Sequence, residues 1–180
     1  MLAQDSRARP IHAGIDKEAA EWGVCITGQL RSLLSLPVHS TFVAHVLSVL
    51  PAADVFVALS HATGELPKPI EDAITTLYSP IRLMMHATKP SWRPCRPHRM
   101  GMNPDLVLAQ WVNIALCYRA VTSYEERRGR SYGWLLRTRT DLVYLAPFPF
   151  AAFRRDRAYV PVGGMNPCVS PKSIPRSAVS

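Results

Sequence analysis

In the segment WLLRTRTD, residues 134–141, Arg137, Arg139 and Asp141 follow one another at intervals of two. On an extended chain alternate side chains share a face, so the pattern predicts two guanidiniums and a carboxylate pointing the same way. Arginines so placed can clasp a phosphate or a diphosphate. A carboxylate toward a strand end can hold a divalent cation whose oxygen shell is shared with that diphosphate. The same residues can also form a structural ion pair between Asp141 and an arginine of a neighbouring element, but a buried pair of that kind adds little net stability. Three charges on one face therefore call for a partner.

A second polar group follows the short apolar run VCIT, 24–27, and reads Gly28-Gln29-Leu30-Arg31. Glycine lets a backbone approach a ligand closely, and Arg31 can pair with a phosphate. The plainer reading is a strand-to-helix turn with a surface arginine. Further along, KPSWRPCRPHR, 89–99, sets Lys89, Arg93, Arg96 and Arg99 around Trp92. That composition suits single-stranded nucleic acid, a lid over a nucleotide, or a merely solvated loop. EERRGR, 125–130, reads as the exposed, charged end of a helix. The chain contains no GxxxxGK[ST], GxGxxG or GxSxG, which removes the sequence support for P-loop kinases, dinucleotide enzymes and α/β-hydrolases. Cys25, Cys95, Cys117 and Cys168 form no CxxC pair and offer no zinc spacing. Cys25 and Cys117 fall in apolar segments and are expected as core thiols. The histidines are scattered, without HExxH.

The elements that must position these groups can be read from periodicity. VCIT is the first expected strand, ended by Gly28. Phe42, Val46, Val49 and Leu50 keep helical spacing in a segment from about Pro37 to Leu50, stopped by Pro51. DVFVAL, 54–59, is a continuous apolar run, the pattern of a strand buried on both faces. A weaker helix over Pro69–Tyr78 and a strand IRLMMH, 81–86, follow. The prolines of 89–99 forbid helix and ladder alike. Asn103-Pro104-Asp105 predicts a helix start, with the helix running to about Arg128 and Gly129 ending it. Leu108, Trp111, Val112, Ala115 and Leu116 are expected on its inner side. YGWLLRTRTDLVYL, 132–145, is the expected fourth strand and RAYVPV, 157–162, a candidate fifth. Strands alternating with helices predict an α/β fold with a mainly parallel, Rossmann-like sheet of four to five strands.

Length and composition set the outer bounds. At 180 residues, 48% apolar and 19% charged, the chain suits one domain with a true core. A leader is expected over 1–22, the α/β domain over 23–163 and a loose Pro/Ser-rich tail over 164–180. The net charge of +8 favours an anionic partner, or serves solubility alone. No apolar run is long enough to span a membrane, and the N-terminal stretch lacks the apolar core of a signal peptide. Either this route of secretion is not used or the true start lies upstream.

Taken together, CITGQLRSL (25–33), ADVFVALS (53–60), the Gln110-Trp111 helix with Glu125 and Glu126 near its end, and YGWLLRTRTDLVYLAPFP (132–149) resemble glycosyltransferase-like proteins of plants, algae and protists. AYVPVGG (158–164) is a further match. They look like nucleotide-diphospho-sugar transferases of the GT-A type, and the order and spacing of the segments carry the likeness. The resemblance implies that Thr27, Gly28, Gln29, Arg31, Arg137 and Arg139 bind a nucleotide-diphosphate sugar. Asp141 would stand in for the metal-binding DxD acid, on Mn²⁺ or Mg²⁺, although Arg rather than Asp occupies position 139. The acceptor would be a glycan or a protein, and no catalytic base is indicated. Beyond Gly164 the resemblance would continue into acceptor-binding elements, whereas this chain has Asn166-Pro167 and its tail. A donor half is therefore expected, in a truncated or inactive relative if not an active enzyme. The resemblance with an upstream start would place the protein in the Golgi lumen, and otherwise the cytoplasm is expected. The alternative function is a non-enzymatic basic α/β module that binds nucleic acid or another polyanion, with nucleic acid the less favoured partner.

Overall fold

A computed structural model of the chain describes residues 21–50, 52–88, 104–154 and 157–159, the side chains of 104–106 excepted. The leader up to residue 20, Pro51, the basic loop 89–99 with Trp92 and Cys95, the Asn103 cap, and residues 160–180 with Cys168 lie outside the described residues. The chain divides into two compact units, Met1–Phe150 and Ala151–Ser180. The sheet and the site described below belong to the first.

Four strands form one sheet: β1 (Trp22–Gln29), β2 (Ala53–His61), β3 (Arg82–Ala87) and β4 (Trp134–Arg139). All pair in parallel, in the order β3-β2-β1-β4. The fold is α/β with a Rossmann-like parallel sheet flanked by helices. β1 and β2 occupy the centre, and residues 22–27 and 54–60 are buried without a break, as strands covered on both faces must be. β1 extends through Gly28 and Gln29 rather than stopping at the glycine, because these residues remain in register with Leu59 and Ser60.

Between β1 and β2 the chain makes a short turn of helix α1 (Leu30–Leu33) and then α2 (Leu36–Phe42), which widens into a π turn over Val43–Leu47. The buried Val38, Phe42, Val46 and Leu47 of this segment face the sheet layer that holds Val24, Ile26, Val55 and Val57. α3 (Lys68–Tyr78) precedes β3 and adds the fully buried Ile74 and Tyr78. Each such side chain taken from water contributes about 1.5–3 kcal/mol. On the sheet's other face lies the long helix α4 (Pro104–Arg128), against Cys25, Phe56 and Ala58.

The inner stripe of α4 differs from the expected one. Ala109, Asn113, Cys117, Ala120 and Val121 face the sheet, whereas Trp111 is 64% exposed and Ala115 also faces solvent. Small residues at helical spacing bring the helix axis close to the strands and turn Trp111 outward, while Leu116, as expected, packs partly buried against the core cluster. That approach also corrects the reading of two cysteines: Cys25 and Cys117 are joined in a disulfide, with Cα atoms 6.1 Å apart. Sequence could not pair them, because 92 residues separate them and neither lies in a recognisable cysteine spacing.

Two further departures concern the chain after α4. Arg128 is not part of a solvated helix end: its side chain is 13% exposed, and its Nη1 donates to the Asp54 carboxylate (3.3 Å). Tyr132 donates its hydroxyl to the same oxygen (2.7 Å), and the Arg128 guanidinium lies 3.7 Å from the Tyr132 ring centroid. Burial, and then the Asp54 carboxylate, push the Tyr132 hydroxyl well above its ordinary range. β4 is also shorter than expected. After Arg139 the chain turns back across α2, with Tyr144 N–H donating to Thr41 Oγ1 (3.2 Å) and Phe148 N–H to the His45 carbonyl (2.7 Å). Among the described residues there is no fifth strand; of RAYVPV, 157–159 are irregular and 160–162 lie outside them.

Linking β1 to α4 across so long a loop restricts the unfolded chain. Replacing both cysteines by alanine is expected to lower stability by about 2–4 kcal/mol in urea denaturation. Mass mapping of a non-reduced digest should recover the Cys25 and Cys117 peptides as one linked species. Recovery of both as free thiols would contradict the bond.

Candidate functional site

The order β3-β2-β1-β4 reverses direction at β1, since β2 and β3 build outward on one side and β4 is added on the other. Parallel sheets bind ligands outside the carboxyl ends of their strands at such a reversal. A cavity of about 140 Å³ lies there. Thr27, Gly28 and Gln29 line it from β1, Arg31 and Ser32 from α1, and Ser60 from β2. Gln110 and Asn113 enter from α4, and Arg139, Thr140 and Asp141 from the end of β4.

Six of the seven residues singled out from sequence thus line one cavity, although they come from segments more than a hundred positions apart. Arg137 is the exception. Its Nε donates to Thr27 Oγ1 (3.3 Å), and Thr27 in turn donates to the Thr138 carbonyl (3.2 Å), so this arginine fastens β4 to β1. Burial, with the nearby Arg139 charge second, lowers the Arg137 pKa. The expected row of three charges on one strand face is also modified. Asp141 lies past the end of β4, in the turn, and folds back onto Arg139.

That contact is a two-pronged fork: Arg139 Nε donates to Oδ1 (2.9 Å) and Nη2 to Oδ2 (2.8 Å). Hydrogen bonding to Arg139 holds the Asp141 carboxyl below the usual carboxylate range, and Arg31 adds in the same direction. The pair is open to solvent, with side chains 48% and 37% exposed, so screening keeps its contribution to stability small. The same geometry bears on the expected cation. Both Asp141 oxygens are engaged, and Asp141 is the only acid lining the cavity among the described residues. Nor do three or more His, Cys, Asp or Glu side chains group anywhere among those residues. A divalent ion at Asp141 would have to take the carboxylate from Arg139, with no second acid lining the cavity to share it.

Sequence reading assigned no role to the residue that shapes the cavity floor. Asn113 is 1% exposed and uses both ends of its amide. Nδ2 donates to the Gly28 carbonyl (3.1 Å) and to Ser60 Oγ (3.4 Å). A carbonyl can only accept, which fixes the amide orientation and leaves Oδ1 to receive His86 Nε2 at 2.8 Å. One side chain of α4 thereby joins the carboxyl ends of β1, β2 and β3. The available signal was a lone asparagine four residues before Cys117, inside the otherwise apolar run 111–117.

Gly28 is required for a steric reason. A Cβ there would collide with the Thr140 side chain, which packs against the bare α-carbon. Gly28→Ala is expected to cost about 1–3 kcal/mol, and pairing it with Thr140→Ala should recover part of that loss. Strictly additive effects in the double-mutant cycle would rule out the contact. Asn113→Leu should cost a further roughly 1–3 kcal/mol, because the Gly28 carbonyl and His86 lose a buried partner. An unchanged urea midpoint would argue against the bracket.

Set beside known proteins, the chain returns no matching family model, no matching curated protein and no matching solved structure.

Proposed function

We propose that this chain is the donor-binding half of a glycosyltransferase-like protein of GT-A type, and that its cavity receives the diphosphate of a nucleotide sugar. The reading is supported chiefly by one observation: Arg31 and Arg139 converge on a cavity at the reversal of strand order, beside the close-packed Gly28 backbone. Parallel sheets bind ligands at such a position, and paired guanidiniums favour phosphoryl oxygens.

Size narrows the assignment. Pockets that enclose a drug-sized molecule run to roughly 300–1,000 Å³, against about 140 Å³ here. The cavity accommodates the anionic part of a ligand, and the nucleoside would extend beyond it. In sugar transfer the bond from the sugar to the diphosphate breaks, and negative charge develops on the departing oxygen. Cations already aimed at that position lower the barrier without reorganising during the reaction. Arg31 and Arg139 would do this work in the proposed reading, and Arg137 would serve indirectly by seating Thr27. A Mn²⁺ or Mg²⁺ ion bound to Asp141 is the competing assignment for the same charge.

A thermal-shift and calorimetric series with UDP-, GDP- and CMP-sugars, with and without Mn²⁺, tests the proposal. At least one nucleotide sugar should raise the melting temperature, as a ligand bound only to the native state does. Arg31→Ala and Arg139→Ala should each weaken that ligand by about tenfold or more, and Arg137→Ala should weaken it far less. No response across the panel would remove the proposal. Tight binding to single-stranded DNA, falling steeply on a log–log salt plot, would favour the polyanion module instead.

A further inference from the structure

The fork between Arg139 and Asp141 has the arrangement that a guanidinium offers to a phosphoryl group, two parallel N–H donors meeting two oxygens. The cavity thus carries its own anion on one of the two cations that a ligand would need. Resting on the diphosphate reading above, we infer that Asp141 is a built-in competitor at Arg139, one that yields more readily to strongly charged phosphoryl anions than to carboxylates.

Three features of the pair lead to this conclusion. First, the two residues are separated by a single position in one turn, so the carboxylate reaches Arg139 at the high effective concentration of a short tether. A free carboxylate brings the same chemistry without the tether and gains nothing by exchange. Second, both partners are more than a third exposed, so the released carboxylate can turn into water and opening costs little. Third, Arg31 lines the same cavity. A diphosphate can engage Arg31 and Arg139 together, an advantage that the single carboxyl group of Asp141 lacks.

The inference has a definite sign, opposite to that of a metal ligand. If Asp141 held a cation for the diphosphate, neutralising it would weaken binding. A competitor predicts that neutralising it strengthens binding, with no metal present. The probes are inorganic diphosphate and malonate, titrated calorimetrically at fixed ionic strength in EDTA against the wild-type chain, Asp141→Asn, Arg139→Ala and Glu126→Gln. Glu126 is exposed near the far end of α4, roughly 20 Å along the helix from Asn113, beyond a Debye length. It reports the effect of net charge alone. Thermal melts check that each variant is folded.

Asp141→Asn is expected to bind diphosphate about two- to fivefold more tightly, and to tighten malonate by a similar factor, with the wild-type chain favouring diphosphate over malonate. Glu126→Gln should behave as wild type. Unchanged or weaker diphosphate binding by Asp141→Asn, with Arg139→Ala still losing the ligand, would overturn the competitor and leave the anion site standing. Equal tightening by Glu126→Gln would also overturn it, by reducing the effect to net charge. Loss in Asp141→Asn of a Mn²⁺-dependent gain seen in the wild type would assign the acid to metal instead. Absence of diphosphate binding in every variant would remove the anion site and the competitor with it.

Discussion

The Asn113 amide lies between α4 and the sheet, where water cannot satisfy it, and its donors and acceptor must be met by the strand ends beneath. That requirement aligns the carboxyl ends of β1, β2 and β3 with one another and with the helix. A buried amide left half-bonded is more costly than an apolar residue in its place. The arrangement therefore has little freedom: a shift of α4 by one residue would remove every partner at once. The disulfide one helical turn further on keeps α4 and β1 in that alignment. The cavity floor is thus defined by a polar contact that depends on close packing of small residues.

The opposite end of α4 is held by a different kind of contact. Asp54 sits at the amino end of β2 and accepts from both Arg128 and Tyr132, with the guanidinium laid over the tyrosine ring. Removing any one partner would strand a charge or a hydroxyl in a low-dielectric setting. Two polar brackets, one at each end of the sheet, thus fix the helix, and the apolar cluster of Phe56, Ala58, Cys117, Ala120 and Val121 fills the space between them. This rigidity matters for the cavity, because charged groups at its rim are effective only if the backbone beneath them does not relax.

At the rim the balance is different. Arg139 and Asp141 are solvent-exposed and joined to one another through local geometry, while Arg137 is drawn inward to Thr27. An arginine bonded across to β1 and an arginine forked onto the carboxylate of its own turn are separated by two positions on the same chain. Their roles diverge because β4 ends at Arg139, where the chain begins its return toward Thr41 and His45.

Much of this was legible in the residues themselves. Continuous apolar runs marked the central strands, Pro104 and Gly129 marked the ends of the long helix, and the alternation of strands with helices indicated a parallel sheet. The polar groups at Gly28–Arg31 and at Arg139–Asp141 were visible as charges and a glycine at strand ends. These are local signals, carried by a few neighbouring side chains. Tertiary structure decided the rest. Periodicity weighs bulky apolar residues, so it turned α4 by its Trp111 side and missed the stripe of Ala, Asn and Cys that packs on the sheet. The bond between Cys25 and Cys117, the contacts of Asn113 with Gly28 and Ser60, and the Asp54–Arg128 pair each join residues more than 50 positions apart. No spacing rule links them, because only the order of strands in the sheet brings them within reach.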